Sequence, residues 1–172
     1  LLVLAIFLGF KIYNGIMEPI QFNKEKVVKY AEVVASLKII RDAEVTFYEV
    51  NGKYTIQKDS LIKFIDSDSI ALTETKTIVE KVNKGGGVII DVEKRVTDTI
   101  GFEPVLKYFK DRNYKTMFKV PGVENTEFEL EVGEVEKVQG LIVPTFRART
   151  PKKNILKGMN ESLVKQELEV IE

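Results

Sequence analysis

The stretch AEVTFYEVNGKYT, residues 43–55, marks the end of a long helix and decides how the chain continues. Asn and Gly readily adopt the left-handed backbone conformation that terminates helices, so Asn51-Gly52 is the expected stop. Phe47 and Tyr48 lie in the last predicted turn before that stop. Tyr54 follows it closely and can lie back against the helix that the chain has just left. The stretch therefore predicts a helix that ends near residue 50, with aromatic side chains where the chain reverses.

The residues before this stop have the periodicity of an amphipathic helix, predicted from about residue 24 to residue 50. Apolar or aromatic side chains recur every three or four residues, and one acidic residue falls in the same stripe. Asn23 is the expected N-cap. Pro19 is expected to separate this helix from the segment before it, with a linker over residues 18–23. The predicted stripe consists of Val27, Tyr30, Val34, Leu37, Ile40, Glu44 and Phe47.

An apolar segment, residues 1–17, opens the chain, and its first charged residue is Lys11. A helix that spans a bilayer core needs about 20 apolar residues, so we expect this segment to be the distal part of a transmembrane helix that starts before Leu1. Lys11 can extend its ammonium group to the headgroups, and Tyr13 suits the membrane interface. A cleavable signal peptide and a helix buried in the protein core remain as alternatives.

Short β-strands are predicted over most of the remaining chain, residues 51–172, which we expect to form a β-rich extracytoplasmic domain. A hairpin is expected at about residues 70–100, reversing at the glycine-rich residues 83–87. Pro144 is expected at a sheet edge or a bulge. The fold class is therefore α+β: a transmembrane helix, a long amphipathic helix and an antiparallel sheet. The other predicted elements are strands at 116–120, 128–132 and 141–148, short helices at 59–65 and 105–109, and a loop at 66–69.

Composition excludes several kinds of chemistry. The 172 residues carry 26 basic and 26 acidic side chains, a balance that argues against a general nucleic-acid binder. Without Cys or His, the chain lacks the usual zinc ligands, thiol nucleophiles and imidazole bases. We therefore expect no enzymatic activity, no cofactor, no metal and no small-molecule substrate.

Four short motifs each have a functional interpretation and an interpretation as ordinary surface or turn structure. The carboxylates of Glu127, Glu129 and Glu131 share one strand face, which is more typical of a solvated face than of a glycosidase cleft. The Asp66–Ser69 loop lacks the spacing of a calcium loop. The Gly85–Gly87 run lacks the ending of a phosphate loop and is expected to be a turn. A small basic patch, which could touch anionic lipid or a partner, comprises Arg147, Arg149, Lys152 and Lys153.

The order of these features resembles type IV pilins and the pseudopilins of secretion systems. The resemblance covers residues 1–65: an apolar N-terminal helix, a proline, a long amphipathic helix, then Ala43, Phe47-Tyr48 and Asn51-Gly52-Lys53-Tyr54-Thr55, with Leu61 beyond. In those families an antiparallel sheet packs on the long helix. The resemblance implies a non-enzymatic structural subunit of a bacterial envelope assembly that acts through helix packing.

A second interpretation is a single-pass accessory subunit of a secretion, transport or motility complex, which binds partner proteins through its outer domain. Both imply a location in the inner membrane, with most of the chain in the periplasm, and contact with lipid and with other subunits in a homo- or hetero-oligomer. The helix is too long for a small sheet to cover, so part of its apolar stripe is expected to bind a partner. The predicted partner-binding residues are Val27, Tyr30, Val33, Val34 and Leu37.

Overall fold

The computed structural model describes residues 2–83, 86, 89–167 and 170–171 and confirms an α+β fold with a long N-terminal helix and antiparallel sheets. The chain forms two compact units, one of Leu1–Ile62 with Arg112–Glu172 and the other of Lys63–Asp111. The helices are α1 (Leu2–Asn51), α2 (Lys58–Ser67), α3 (Leu106–Phe109), α4 (Lys152–Ile155) and α5 (Glu161–Val164), with a 3-10 turn at Tyr114–Thr116. The strands are β1 (Ser69–Asn83), β2 (Ile89–Pro104), β3 (Glu129–Val138), β4 (Leu141–Pro151) and β5 (Val170–Ile171).

Helix α1 runs without interruption through the region where a linker was predicted. Residues 18–23 are helical, so the predicted linker and the N-cap at Asn23 are both wrong. Pro19 lies inside the helix, where its ring removes the backbone N–H that would bond the Gly15 carbonyl. The turns on both sides of Pro19 are helical, so α1 continues through Pro19 despite the loss of one backbone hydrogen bond.

The predicted end of α1 is confirmed. The helix ends at Asn51, and Gly52 adopts the left-handed conformation with φ of 69°. The Gly52 N–H donates to the Tyr48 carbonyl over 2.7 Å, and the Asn51 side-chain amide donates to the Phe47 carbonyl over 3.1 Å. These bonds satisfy two of the carbonyls that a helix end leaves without partners.

The larger unit packs one face of α1 with the three-stranded antiparallel sheet β3-β4-β5. Leu130 faces Ala148 and Val132 faces Phe146 across β3 and β4. Pro144 faces Glu134, on a part of β4 that has only one neighbouring strand among the described residues, as expected for an edge proline. The buried apolar side chains of this unit include Val33, Leu37, Ile40, Ala43, Leu61, Met117, Phe118, Val120, Phe128, Ile155 and Leu156.

The strand predicted at residues 116–120 is wrong. The segment follows the 3-10 turn and forms only one isolated bridge, between Lys119 and Glu127. Met117, Phe118 and Val120 are all buried, so the apolar residues do not alternate between two faces as a half-buried strand requires. Compact turns bury this run more completely than an extended strand could.

The smaller unit contains the end of α2, the hairpin β1-β2 and α3, around the buried side chains of Phe64, Ile65, Val105 and Phe109. The predicted hairpin and the helix near residues 105–109 are confirmed. The loop predicted at Asp66–Ser69 is wrong, because α2 includes Asp66 and Ser67 and β1 begins at Ser69. The predicted turn at residues 83–87 lies largely outside the described residues. Gly86, which is described, lies in a turn with φ of 65°.

Candidate functional site

The N-terminal part of α1 exposes apolar side chains around its whole circumference. Exposure ranges from 50% at Leu8 to 81% at Val3 among the large apolar residues between Val3 and Ile16. A soluble helix normally shows an apolar stripe, whereas one that is apolar all round requires an apolar environment on every side. Lys11 and Asn14 are the polar exceptions in this region, and the Lys11 ammonium group lies 5.9 Å from the Phe7 ring. The large apolar residues of α1 between Val3 and Ile16 therefore form an exposed apolar surface that we expect another apolar surface to cover. The exposed set is Val3, Leu4, Ile6, Phe7, Leu8, Phe10, Ile12, Tyr13 and Ile16.

The C-terminal segment, residues 160–167, contacts α1 at Glu18 and at Lys26. The Asn160 amide donates to a Glu18 carboxylate oxygen over 2.5 Å, and the Asn160 carbonyl oxygen caps α5 by accepting from the Ser162 N–H over 2.8 Å. Farther along α1, the Lys26 ammonium group pairs with Glu167 at 2.5 Å. These contacts attach the segment to α1 directly after the exposed apolar part, so the two parts of the helix have different surroundings.

A row of exposed apolar side chains continues along α1 at seven-residue spacing. We call this row the heptad seam. A repeat of seven residues keeps side chains along one line when two helices pack with a slight left-handed crossing. The row covers about 42 Å of helix, so it joins the exposed N-terminal part to the part that carries the sheet. Its members are Ile6 (65% exposed), Tyr13 (60%), Ile20 (42%), Val27 (64%) and Val34 (37%).

The structure divides the predicted partner-binding residues. Val33 is fully buried in the core of the larger unit, which corrects its assignment to a partner surface, whereas Leu37 is 9% exposed and keeps only a small part of its side chain at the surface. Val27 and Val34 are exposed, and Tyr30 is half-buried. The sequence did not predict Ile6, Tyr13 and Ile20 as partner-binding residues. Residues 1–17 and the amphipathic helix were expected to be separate elements, whereas they form one continuous helix.

A shallow groove of about 360 Å³ adjoins the last seam residue, Val34. Its apolar lining comes from α1 and β4, while its charged lining is basic. Arg41 pairs with Asp42 and Arg147 with Glu131 in the same chain. The apolar floor beside Lys38 is therefore the part that suits an apolar partner surface with an acidic residue. The lining comprises Val34, Leu37, Lys38, Arg41, Phe146, Arg147 and Ala148.

Three aromatic rings join the end of α1 to the sheet. The Tyr54 ring stacks on the Tyr48 ring with centroids 4.7 Å apart, and it contacts the Phe146 ring at 4.9 Å. The prediction that Tyr54 lies back against α1 is confirmed. Because these rings link α1 to β4, they fix the sheet on the helix near its C-terminal end.

Glu44 is the acidic residue of the predicted stripe, and it is 1% exposed. Burial raises the pKa of its carboxyl to about 7, although the Thr55 N–H donates to it over 3.1 Å and partly opposes that rise. The hydrogen bond joins α1 to the returning chain four residues beyond the helix end. Glu44 therefore has a structural role that its carboxyl fulfils most favourably when protonated.

The Tyr30 hydroxyl is buried and has no hydrogen-bond partner among the described residues. Its pKa is raised by burial and by the charge of Glu167. A hydroxyl that is buried without a partner costs about 1–3 kcal/mol. We expect Tyr30→Phe to leave the free energy of unfolding unchanged or to raise it by up to about 1 kcal/mol, as measured by urea unfolding in mild detergent. A loss above about 1 kcal/mol would show that the hydroxyl has a partner.

The carboxylates that could suggest catalysis form ion pairs on exposed surface. Glu127 pairs with Lys58 at 2.7 Å, which lowers the pKa of that carboxyl. Arg149 pairs with Glu129 at 3.0 Å and with Glu131 at 2.8 Å. These three glutamates therefore lie on the solvated face that their alternation predicted, and two of the basic-patch residues, Arg147 and Arg149, are engaged with them.

Three further observations bear on function: metal sites, membrane-spanning helices and similarity to known proteins. In the described part of the chain, no group of acidic side chains is arranged to hold a metal ion. Within the same residues, none of the helices combines the length and apolar content that a bilayer crossing requires. No family model, no curated protein and no solved structure matches the chain. The surface of α1 is therefore the main guide to function.

Proposed function

We propose that the protein is a non-enzymatic structural subunit of a bacterial envelope assembly, similar to pilins or pseudopilins, that acts through helix packing. The observation that carries the proposal is the exposure of the large apolar side chains of α1 from Val3 to Ile16, ahead of the hydrogen bond from Asn160 to Glu18. In this proposal residues 2–17 enter the inner membrane, and the rest of the chain lies in the periplasm. The partners are lipid and other protein subunits.

Lipid is a suitable cover for these residues because it surrounds a helix on every side. Each large apolar side chain gains roughly 1.5–3 kcal/mol when it is fully buried. The segment contains a single charged residue, Lys11, whose long side chain can reach the headgroups. Tyr13 combines an apolar ring with a polar hydroxyl, as residues at membrane interfaces often do.

The heptad seam provides the helix-packing surface. Three of its residues, Ile20, Val27 and Val34, lie beyond the proposed membrane segment, where lipid cannot cover them. A second helix that packs along the seam would cover all five residues in one continuous contact. A second copy of the same subunit can supply this helix.

An accessory subunit of a secretion, transport or motility complex is the second candidate. The groove beside Val34 favours it, because its apolar floor beside Lys38 suits an apolar partner surface that carries an acidic residue. Purification in mild detergent distinguishes the two candidates: a homopolymer supports the structural subunit, and a fixed hetero-complex supports the accessory subunit.

The replacement Leu8→Asp tests the membrane part of the proposal. An Asp at the centre of a membrane helix costs roughly 2.5–3.5 kcal/mol, which corresponds to about a hundredfold weaker partitioning. We expect Leu8→Asp to reduce co-flotation of the chain with lipid vesicles by about that factor, without lowering its unfolding midpoint. Leu8 is 50% exposed and is not part of the seam.

Val138→Asp is the matched control, because Val138 is 66% exposed and lies at the end of β3, far along the chain from α1. It should leave flotation unchanged. Equal flotation of the wild type and Leu8→Asp would contradict membrane insertion, while leaving the seam as a surface for protein partners.

A further inference from the structure

The hairpin of the smaller unit has an open edge along β1. Strands β1 and β2 have 15 and 16 residues and form a two-stranded sheet, and no other described strand lies beside β1. Residues 71–82 are all exposed. A two-stranded sheet is marginally stable in water, and three or more strands are normally needed. The hairpin, about 50 Å long at 3.3–3.4 Å per residue, therefore lacks the neighbours that usually support such strands.

The two edges of this hairpin differ. β2 carries an extra residue at Ile100, because Leu72 faces Gly101 while Thr73 faces Thr99, and β2 ends at Pro104. Bulges and prolines obstruct pairing along an edge. β1 contains neither Gly nor Pro and carries no inserted residue, so its outer N–H and C=O groups form a regular, unobstructed row. The open edge of β1 is thus the one suited to receive another strand.

The sequence of β1 is complementary to itself around Thr75. In an antiparallel pair of two β1 strands centred on Thr75, residues at equal distances from Thr75 lie opposite each other and on the same face. Glu74 of each copy then faces Lys76 of the other, giving two pairs of opposite charge. The other facing pairs are Thr73 with Thr77, Leu72 with Ile78, Ala71 with Val79, Ile70 with Glu80 and Ser69 with Lys81.

Two neighbouring registers place like charges opposite each other. Centring the pair on Lys76 places two lysines opposite each other, and centring it on Thr77 places Glu74 opposite Glu80. Like charges directly opposite each other are destabilising. Centring the pair on Ile78 places Lys76 opposite Glu80, but it pairs only residues 73–83 and so loses the facing pairs that Leu72 and Ala71 form in the register centred on Thr75. Opposite charges and these apolar pairs together favour the register centred on Thr75.

We propose that β1 of one copy pairs antiparallel with β1 of a second copy, with the twofold axis at Thr75. The resulting sheet has four strands, in the order β2-β1-β1-β2, and each hairpin gains the support that two strands lack. The contact is isologous, because each copy contributes the same edge. It involves neither the membrane segment nor the heptad seam, so it is a second surface for assembly that is independent of the proposed function.

Cysteine cross-linking of the full chain in mild detergent tests the twofold axis, since the natural sequence contains no Cys. Directly opposite side chains have Cβ atoms roughly 4.5–5.5 Å apart, close to the range of a disulfide. Oxidation of Thr75→Cys should convert most of the chain to a covalent dimer. Thr97→Cys is the matched control, because Thr97 faces Thr75 from β2 on the same sheet face and lies away from the contact. Ile78→Cys checks the register and should remain monomeric.

Charge exchange tests the contact without cysteine. Glu74→Lys places a second lysine opposite Lys76, and Lys76→Glu places two glutamates opposite each other, so each variant should weaken self-association by roughly tenfold. The double replacement restores opposite charges and should restore dimers. A mixture of the two single variants should form hetero-dimers, since both facing pairs are then of opposite charge. The mixture is the decisive experiment. Both single variants lack the Glu74–Lys76 ion pair within one strand, which is 2.8 Å long, so a change in that pair cannot explain hetero-dimers that form only in the mixture.

Three results would overturn the proposal. Equal cross-linking of Thr75→Cys and Thr97→Cys would indicate random collision, and cross-linking through Ile78→Cys in place of Thr75→Cys would reject the register. Failure of the mixture to associate would reject the facing charge pairs. If the chain still assembles through α1 in any of these cases, the proposed function stands while the β1 contact does not.

Discussion

Val33→Glu is expected to unfold the larger unit, whereas the same replacement at the next residue, Val34→Glu, is expected to leave it folded. Val33 is fully buried, so the new carboxylate would lie in the core without a partner. A buried charge without a partner costs about 3–5 kcal/mol, a large part of the roughly 5–15 kcal/mol that stabilises a typical domain. The measurement is urea unfolding in mild detergent, followed by circular dichroism.

Val34→Glu is the matched comparison, because Val34 is 37% exposed and its new carboxylate can remain in water. We expect its unfolding midpoint to stay near that of the wild type while its assembly size in detergent falls, since Val34 belongs to both the heptad seam and the groove. If Val33→Glu were tolerated, Val33 would have to be surface-exposed in the assembled protein. Unchanged assembly of Val34→Glu would remove Val34 from the packing surface.

The stability of the larger unit is expected to fall as the pH rises from about 4.5 to about 7, because of Glu44. Its pKa is 4.5 in the unfolded chain and about 7 in the folded one. Over this window the unfolded chain releases its proton while the folded chain retains it, so unfolding becomes more favourable as the pH rises. Above pH 7 both states are ionised and the loss levels off. A shift of this size corresponds to about 3 kcal/mol.

Glu44→Gln should abolish this pH dependence. Glutamine retains an oxygen that accepts from the Thr55 N–H, and it carries no charge at any pH. We expect the variant to match the wild type near pH 5 and to exceed it by up to about 3 kcal/mol at pH 8, in unfolding experiments on the chain in detergent.

Glu127→Gln is the control for the pH experiment. Lys58 lowers the pKa of Glu127, so its contribution to stability is lost only below the ordinary pKa of a glutamate. Between pH 5 and pH 8 this carboxyl is ionised in both the folded and the unfolded chain. Glu127→Gln should therefore leave the slope of stability against pH unchanged. The same slope in the wild type and in Glu44→Gln would show that Glu44 is not the group that titrates.

The sequence was most informative where one local signal determined the structure. The stop at Asn51-Gly52 predicts both the end of α1 and the return of Tyr54, because a left-handed residue directly reverses the chain. The hairpin was also predictable, since two strand-like stretches flank a glycine-rich turn. In both cases the residues that determine the structure are close together along the chain.

Predictions failed where distant residues decide the outcome. Pro19 suggested a break, but α1 continues because the residues on both sides of it form regular turns. Residues 116–120 have strand-like composition, yet tertiary packing buries Met117 and Phe118 together. Likewise, Val33 was predicted on a partner surface but is fully buried, because a periodic pattern identifies an apolar face without identifying what covers it.

Two features of the candidate site illustrate the same limit. The heptad seam was visible in the sequence as a seven-residue spacing, but it emerges only when residues 1–17 and the following helix are treated as one element. The burial of Glu44, in contrast, could not be predicted from an acidic residue in an apolar stripe, since its environment depends on Thr55 and on the core around α1.

Pro19 gives α1 a joint at the border of the proposed membrane segment. A helix that lacks one backbone hydrogen bond bends there at lower energetic cost than elsewhere. The turn that contains Pro19 also contains Glu18, which accepts a hydrogen bond from Asn160. In the proposed membrane location, residues 2–17 can thus change their tilt to suit bilayers of different thickness, while the orientation of the proposed periplasmic part toward its neighbours is preserved.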